Sequence, residues 1–200
     1  MPRAGLSRAV VTEVALGVVD AGGPAGFDRL TLAAVAASAG VAVPSLYKHV
    51  SSLGDVRRLV GIASIAELTR VLAAATIGRS GADAMRSAAD AVRAYARAHP
   101  GRYAATQVAA DLGDADDAEL AERGAETIAV LAAALRGFDL PEESTVDAIR
   151  MVRSAVHGFV VLELGGGFGL PDDLDRSFRL LVDGVIAGIA ALSAPARTPA

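Results

Sequence analysis

The chain has 200 residues, of which 52% are hydrophobic, and a mean hydropathy of +0.42, so it can bury a sizeable core. The absence of cysteine excludes a disulfide framework and thiolate chemistry. Alanine is abundant and β-branched residues recur at helical rather than alternating spacing, which predicts an all-α fold. No uncharged run of about 18 apolar residues is free of glycine, so we expect no membrane span and a cytoplasmic location.

The net charge of −4 is unevenly distributed along the chain. Residues 1–60 have a balance of +2, whereas residues 61–200 have a balance of −6. A mildly basic first part joined to an acidic remainder is typical of a protein that meets phosphate at one end only.

The first helix is predicted over residues 7–21, where Ser7 can cap an apolar stripe and Gly22-Gly23-Pro24 ends it. Arg3 and Arg8 precede this apolar segment, as in a signal peptide. Acidic residues interrupt the segment, however, which favours an amphipathic helix.

Residues 31–50 predict two short helices joined by a tight turn. Thr31 is a suitable N-cap, Gly40 can adopt the left-handed conformation of the turn, and Pro44 suits a first helical turn. Leu46 and Val50 can anchor a second helix over residues 43–49. The remaining side chains of that helix can hydrogen-bond phosphates or base edges: Ser45, Tyr47, Lys48 and His49. Taken alone, the stretch is equally compatible with an ordinary surface hairpin of helices.

Six further helices are predicted, with breaks at glycine and proline, over residues 55–77, 82–98, 102–112, 117–136, 142–164 and 172–192. We therefore predict a DNA-binding domain at 1–52, a helical ligand-binding and dimerisation domain at 53–193, and a disordered Pro/Ala tail at 194–200. The last two helices are apolar over more than one stripe, and a second copy of the pair would complete a four-helix bundle. The expected interface residues are Val160, Leu164, Phe178, Leu181, Val182, Val185, Ile186 and Ile189.

Catalytic and metal sites are not indicated. The acidic cluster that begins at Asp114 lacks the ligand pattern of a Ca²⁺ loop, and a helix N-terminus that favours carboxylates explains it better. The three histidines, at 49, 99 and 157, form none of the Glu-x-x-His pairs that a di-iron bundle needs. We expect neither enzymatic activity nor a cofactor or metal.

Three runs of the sequence resemble the TetR/AcrR family of transcriptional regulators. They are LTLAAVAASAGVAVPSLYKHV at 30–50, HPGRYAATQ at 99–107 and VRSAVHGFVVLELGGGFGLP at 152–171, the last two similar to the WHG-domain subgroup. The resemblance covers roughly residues 7–192. Two departures are visible: Leu53 stands where many members have a phosphate-contacting lysine, and Val156 stands where the subgroup has tryptophan.

The resemblance implies a homodimer that binds a palindromic operator in double-stranded DNA through the helix at 43–49. Tyr47 and Lys48, the chain's only lysine, would hold phosphates, while Val43 and Pro44 would touch a thymine methyl. Ser45 and His49 would reach bases or phosphates, and Thr31 would offer its hydroxyl or N–H to a phosphate. Arg57 or Arg58 would replace the lysine missing at Leu53.

The resemblance also implies a repressor that a small, largely apolar effector releases from DNA. The candidate effector-binding residues are Met85, Tyr95, Tyr103, Gln107, Arg153 and His157. Core packing is an open alternative role for each of them. A helical ligand-binding or dimerisation protein without specific DNA binding is the alternative function.

Overall fold

The computed structural model describes residues 5–193, and every regular element among them is helical, which confirms the predicted all-α class. The α-helices are α1 (Arg8–Ala21), α2 (Leu32–Ala39), α3 (Val43–Leu46), α4 (Leu53–Thr76), α5 (Gly81–Ala98), α6 (Pro100–Ala105), α7 (Ala118–Leu135), α8 (Glu142–Leu164) and α9 (Leu174–Leu192). Short 3-10 turns occur at Gly23–Ala25, Ala115–Asp117 and Arg136–Phe138. The tail predicted at 194–200 lies outside the described residues.

Side-chain caps set the starts of the first two helices, as predicted. The Ser7 hydroxyl accepts a bond of 3.2 Å from the Val10 N–H, and the Thr31 hydroxyl accepts one of 3.1 Å from the Ala34 N–H. Gly40 ends α2 in the left-handed region, with φ of 68°. The chain therefore turns sharply between α2 and α3.

The first three helices share an apolar core. Fully buried side chains of α1, α2 and α3 meet there, together with Leu30 and Val50 from the adjoining turns. Leu46 and Val50 are both buried, which confirms them as the anchors of the segment from Val43 to Val50.

Two predicted helices are too long. The helix predicted at 43–49 is α-helical only to Leu46, and the carbonyl of Leu46 then accepts bonds from the N–H groups of His49 and Val50 at 2.8 and 3.0 Å. This tighter turn lets Val50 reach the core. The helix predicted at 102–112 ends at Ala105, since the Thr106 hydroxyl donates to the Tyr103 carbonyl at 2.7 Å and competes with the helical ladder.

The contacts divide the chain into two units. The first contains the described residues up to Leu68 together with Ala96–Gly124, and the second contains Thr69–Tyr95 together with the described residues from Ala125 onward. Helices α4, α5 and α7 contribute residues to both units. The boundary predicted at 52/53 divides the chain by function, whereas these units divide it by packing, and the functional boundary stays a prediction.

In the second unit α8 packs on α9, and this packing corrects the predicted dimer interface. Five of the eight predicted residues are buried inside their own chain: Val160, Phe178, Val182, Ile186 and Ile189. The rings of Phe159 and Phe178, for example, have centroids 5.1 Å apart. Side chains used in this way form the core of the unit and are not available to a second copy.

One helix of the described residues, α4, is long and apolar enough to cross a membrane by length and composition. Its first turns nevertheless belong to the core of the first unit, where Val56 and Val60 are fully buried. A core helix passes the same hydropathy test, so this feature indicates no membrane protein.

Candidate nucleic-acid interface

The segment from Val43 to Val50 has polar side chains on its solvent-exposed side and apolar side chains on the side that packs against the core. Pro44, Tyr47 and Lys48 are exposed, with 55% of Tyr47 accessible to solvent, and the exposed Thr31 caps α2 in the same unit. Such a surface is able to donate hydrogen bonds to phosphate and base edges.

Other predicted members of the site are less accessible. Ser45 and His49 are half-buried, and Val43 packs against the core of the first unit. The side chain of Val43 helps to hold the segment in place, and the contacts of Val43 and Pro44 with a thymine methyl stay predictions, with Pro44 the more exposed of the two.

The buried carboxylate of Asp55 connects this segment to α1 and α4. Asp55, only 5% exposed, accepts two bonds from the Arg8 guanidinium at 2.6 and 3.0 Å and one from the Ser51 N–H at 2.9 Å. Burial opposes its ionisation, but the bonds from Arg8 and Ser51 together keep the pKa of Asp55 below its usual value. Arg8 also donates to the His49 carbonyl at 3.4 Å, so α1, the turn and α4 meet at one ion pair.

This cluster is only partly visible in the sequence. In the sequence, Ser52-Leu53-Gly54-Asp55 has the spacing of a capping box, and a carboxylate in a first helical turn also favours the helix dipole. The structure contains half of that motif, in which the Ser52 hydroxyl accepts from the Asp55 N–H at 3.1 Å. The carboxylate bonds to Ser51 instead of Ser52, and no local pattern predicts its pairing with Arg8, 47 residues away.

The structure also shows the surroundings of position 53 and of the two arginines predicted to replace the missing lysine. Leu53 is partly buried against the core, and Arg57 donates to the Asp28 carbonyl at 2.9 Å. Arg58 is paired with Asp117 and, at 3.1 Å, with Asp114. Both guanidinium groups therefore already bind the protein, Arg58 through several acids and Arg57 through a backbone carbonyl, and their contact with phosphate stays a prediction.

A polar depression of about 320 Å³ lies beside residues 43–50, the predicted recognition segment. It is lined by side chains that have just been described and by one further aspartate: Arg8, Tyr47, His49, Val50, Ser51, Asp55, Arg58 and Asp116. Positive and negative side chains therefore share the surface next to the predicted phosphate contacts.

The predicted effector-binding residues fall into both units. The second unit holds Met85 and Tyr95, which are buried, Arg153, which is exposed, and the half-buried His157. Burial, and secondarily the charge of Arg153, lowers the pKa of His157, so its imidazole is neutral at pH 7. The first unit holds the buried Tyr103 and the exposed Gln107, whose amide donates to the Thr106 hydroxyl at 2.8 Å.

Of the six candidates, Met85 lines a small apolar cavity between α5, α8 and α9. The other walls are Ala89, Val152, Ala155, Val156, Leu181, Val182, Val185 and Ile186. The free volume is about 10 Å³, no more than a single water molecule requires. The helices that line this cavity are therefore closely packed in this structure.

Sequence comparison relates residues 85–185, and also most of the chain as a whole, to known regulators. Residues 85–185 match the family described as "Tetracyclin repressor-like, C-terminal domain". Across 170 residues the chain is 40% identical to Rv0681 of Mycobacterium tuberculosis, an HTH-type transcriptional regulator, and the match covers 85% of this chain and 74% of the relative.

Solved structures share the fold. SCO7222, a TetR protein of Streptomyces coelicolor, superposes with a TM-score of 0.68 at 20% identity, covering 94% of this chain and 100% of that one. ActR of the same organism, solved in complex with (S)-DNPA, gives a TM-score of 0.68 at 20% identity, covering 96% and 100%. The sequence relatives establish the descent and the structures establish the fold, so the chain belongs to the TetR family of transcriptional regulators.

Proposed function

We propose that this protein is a cytoplasmic repressor that binds a palindromic operator as a homodimer and leaves it when a small, largely apolar molecule binds. The observation that carries the proposal is the segment from Val43 to Val50. Buried Leu46 and Val50 fix its backbone, while Tyr47 and Lys48 project into solvent. Recognition of a DNA groove requires a backbone held in a fixed position and polar side chains exposed to the DNA.

Loss of either polar side chain is expected to weaken DNA binding. Tyr47→Ala and Lys48→Ala each remove an exposed group that we assign to a phosphate, so each should raise the Kd for DNA by about tenfold. For Lys48→Ala, the slope of log K against log salt should also fall by about 1, because one fewer counterion is released. The measurement is fluorescence anisotropy on a genomic fragment selected by the unsubstituted protein.

Arg136→Ala is the matched control, since it removes an exposed positive charge from the second unit. It should leave the affinity unchanged. Full affinity in both Tyr47→Ala and Lys48→Ala would remove the recognition role from this segment. Failure of the unsubstituted protein to select any fragment would favour the alternative of a ligand-binding protein without specific DNA binding.

Dimerisation is proposed to use the outer faces of α8 and α9. On α9, small and apolar residues are exposed at spacings of four and three: Leu180, Gly184, Ala187 and Ala191. On α8, a similar row is exposed or half-buried: Met151, Ser154, Gly158 and Val161. Small side chains at such spacing permit two helix pairs to approach closely and form a four-helix bundle. This face replaces the five buried residues of the earlier prediction.

A charge placed in the row on α9 is expected to break the dimer. Ala187→Glu would introduce a carboxylate into an interface that closes around small side chains, and we expect at least a tenfold weaker dimer. Ala129→Glu makes the same change on the exposed surface of α7 and serves as the control. Sedimentation of both variants measures the effect. Equal association of Ala187→Glu and the unsubstituted protein would contradict the proposed face.

The effector is proposed to enter between α5, α8 and α9, where Met85 and its neighbours form an apolar lining. A volume of about 10 Å³ is far below that of ligand pockets, so binding requires these helices to separate. Such a separation is a change of state that a ligand can stabilise. The complex of ActR with (S)-DNPA supports a small-molecule site in a protein of this fold.

A further inference from the structure

An acidic segment, residues 111–117, is fixed beside the recognition segment. Arg58 of α4 is its attachment point: Nε donates to Asp117, one terminal nitrogen donates to Asp114 at 3.1 Å, and the other lies 3.7 Å from Asp116. The Asp111 N–H donates to the second carboxylate oxygen of Asp117 at 2.8 Å. These bonds hold the segment against α4.

The charges of this cluster do not cancel. Two arginines, Arg8 and Arg58, face four aspartates, so the cluster carries a net charge of −2 when all groups are ionised. The aspartates are Asp55, Asp114, Asp116 and Asp117. The bond from the Asp111 N–H, followed by that from Arg58, lowers the pKa of Asp117, which is therefore ionised at neutral pH.

The excess negative charge lies next to the predicted phosphate contacts. The side chain of Asp116 is 80% exposed and lines the same depression as Tyr47 and His49. A DNA backbone that approaches Tyr47 therefore meets a carboxylate that lines the same depression, and both arginines of that depression, Arg8 and Arg58, are already paired with acids. Net repulsion of phosphate is the electrostatic consequence.

We propose that the acidic segment 111–117 is an intramolecular competitor of DNA phosphate. It occupies Arg58 and sets the Asp116 carboxylate beside Tyr47, and so weakens the binding of every duplex. The proposal rests on the DNA-binding function proposed above. The net charge of −4 of the whole chain acts in the same direction, since it also opposes the approach of phosphate.

The test is the affinity of Asp116→Asn for a short fluorescent duplex of arbitrary sequence, measured by anisotropy at about 50 and 200 mM salt. Asp116→Asn removes one exposed charge and keeps the size of the side chain. We expect a Kd about threefold lower at the lower salt concentration and a smaller gain at the higher one, because salt screens exposed charges. Asp172→Asn, an exposed aspartate of the second unit, is the matched control.

A second variant tests the competition for Arg58. Asp114→Asn keeps the oxygen that accepts the Asp116 N–H at 2.9 Å but removes the charge held by Arg58. In Asp114→Asn/Asp116→Asn, Arg58 keeps its bond to Asp117, but its terminal nitrogens no longer face the charges of Asp114 and Asp116. They can therefore turn to phosphate, and the salt slope should steepen by up to about 1. Circular dichroism confirms that the variants are folded.

Three results would overturn the inference. Asp116→Asn with the affinity of the unsubstituted protein, or an equal gain in Asp172→Asn, would refute it while leaving the DNA-binding proposal intact. If neither the unsubstituted protein nor any variant shows salt-sensitive binding to this duplex or to selected genomic fragments, the proposed function and the inference fail together.

Discussion

Gly26→Ala is expected to lower the free energy of unfolding of this regulator by about 3 kcal/mol. Gly26 has ordinary helical backbone angles, so the constraint is space and not conformation. An added Cβ would lie 1.9 Å from the carbonyl oxygen of Val19 and 3.1 Å from that of Gly23. Both neighbours are backbone atoms, which cannot rotate away as a side chain would.

Thermal and urea unfolding followed by circular dichroism measure this loss. Gly17→Ala is the matched control, because Gly17 lies within α1 and has no atom within 4 Å of an added Cβ. Alanine favours helix over glycine, so the control should gain about 0.5–1 kcal/mol. If Gly26→Ala unfolds at the same urea concentration as the unsubstituted protein, the close approach of these backbone segments is not required for stability.

Arg93→Met is expected to destabilise the second unit by about 3 kcal/mol. The guanidinium of Arg93 makes two bonds to Glu163, at 2.7 and 2.8 Å, and their side chains are only 10% and 13% exposed. Its Cζ also lies 4.7 Å from the centroid of the Phe178 ring and 5.4 Å from that of Phe159. Methionine fills the space but removes both guanidinium bonds from a nearly buried carboxylate.

The same helix offers a control for this prediction. Arg86 of α5 pairs with Asp183 at 2.8 Å, but both side chains are about half exposed, so Arg86→Met should cost less than about 1 kcal/mol. Adding Glu163→Leu to Arg93→Met should recover much of the lost stability, because no charge then stays buried. Equal unfolding midpoints for Arg86→Met and Arg93→Met would show that the Arg93 cluster contributes no more than a surface pair.

The recognition segment shows how much of the candidate site is predictable. Thr31 as a cap, Gly40 as a left-handed turn, and Leu46 and Val50 as anchors all follow from the chemistry of neighbouring residues, and the structure confirms them. The extent of the helix after Leu46 was not predictable in the same way. It depends on how far the chain must turn for Val50 to reach the core of the first unit.

The partners of the charged residues at the site, by contrast, could not be predicted from the sequence. Arg8, Asp55 and Arg58 were visible as charges, but the sequence leaves open whether each is solvated, paired or available to phosphate. Asp55 proves to be buried under Arg8, and Arg58 proves to be held by acids 56 or more residues away. Electrostatic partners at such separations are set by packing, which brings distant segments within a few ångströms.

The apolar stripes of α8 and α9 show the same difference between what the sequence predicts and what packing decides in the second unit. Their excess of apolar residues predicted that more than one face of each helix is covered, and Val160 and Ile189 are indeed fully buried. Which face is covered by the chain itself was decided only by the packing of α8 on α9. Helical spacing and caps are local properties that the sequence determines alone, whereas the choice between two apolar faces depends on what packs against each one.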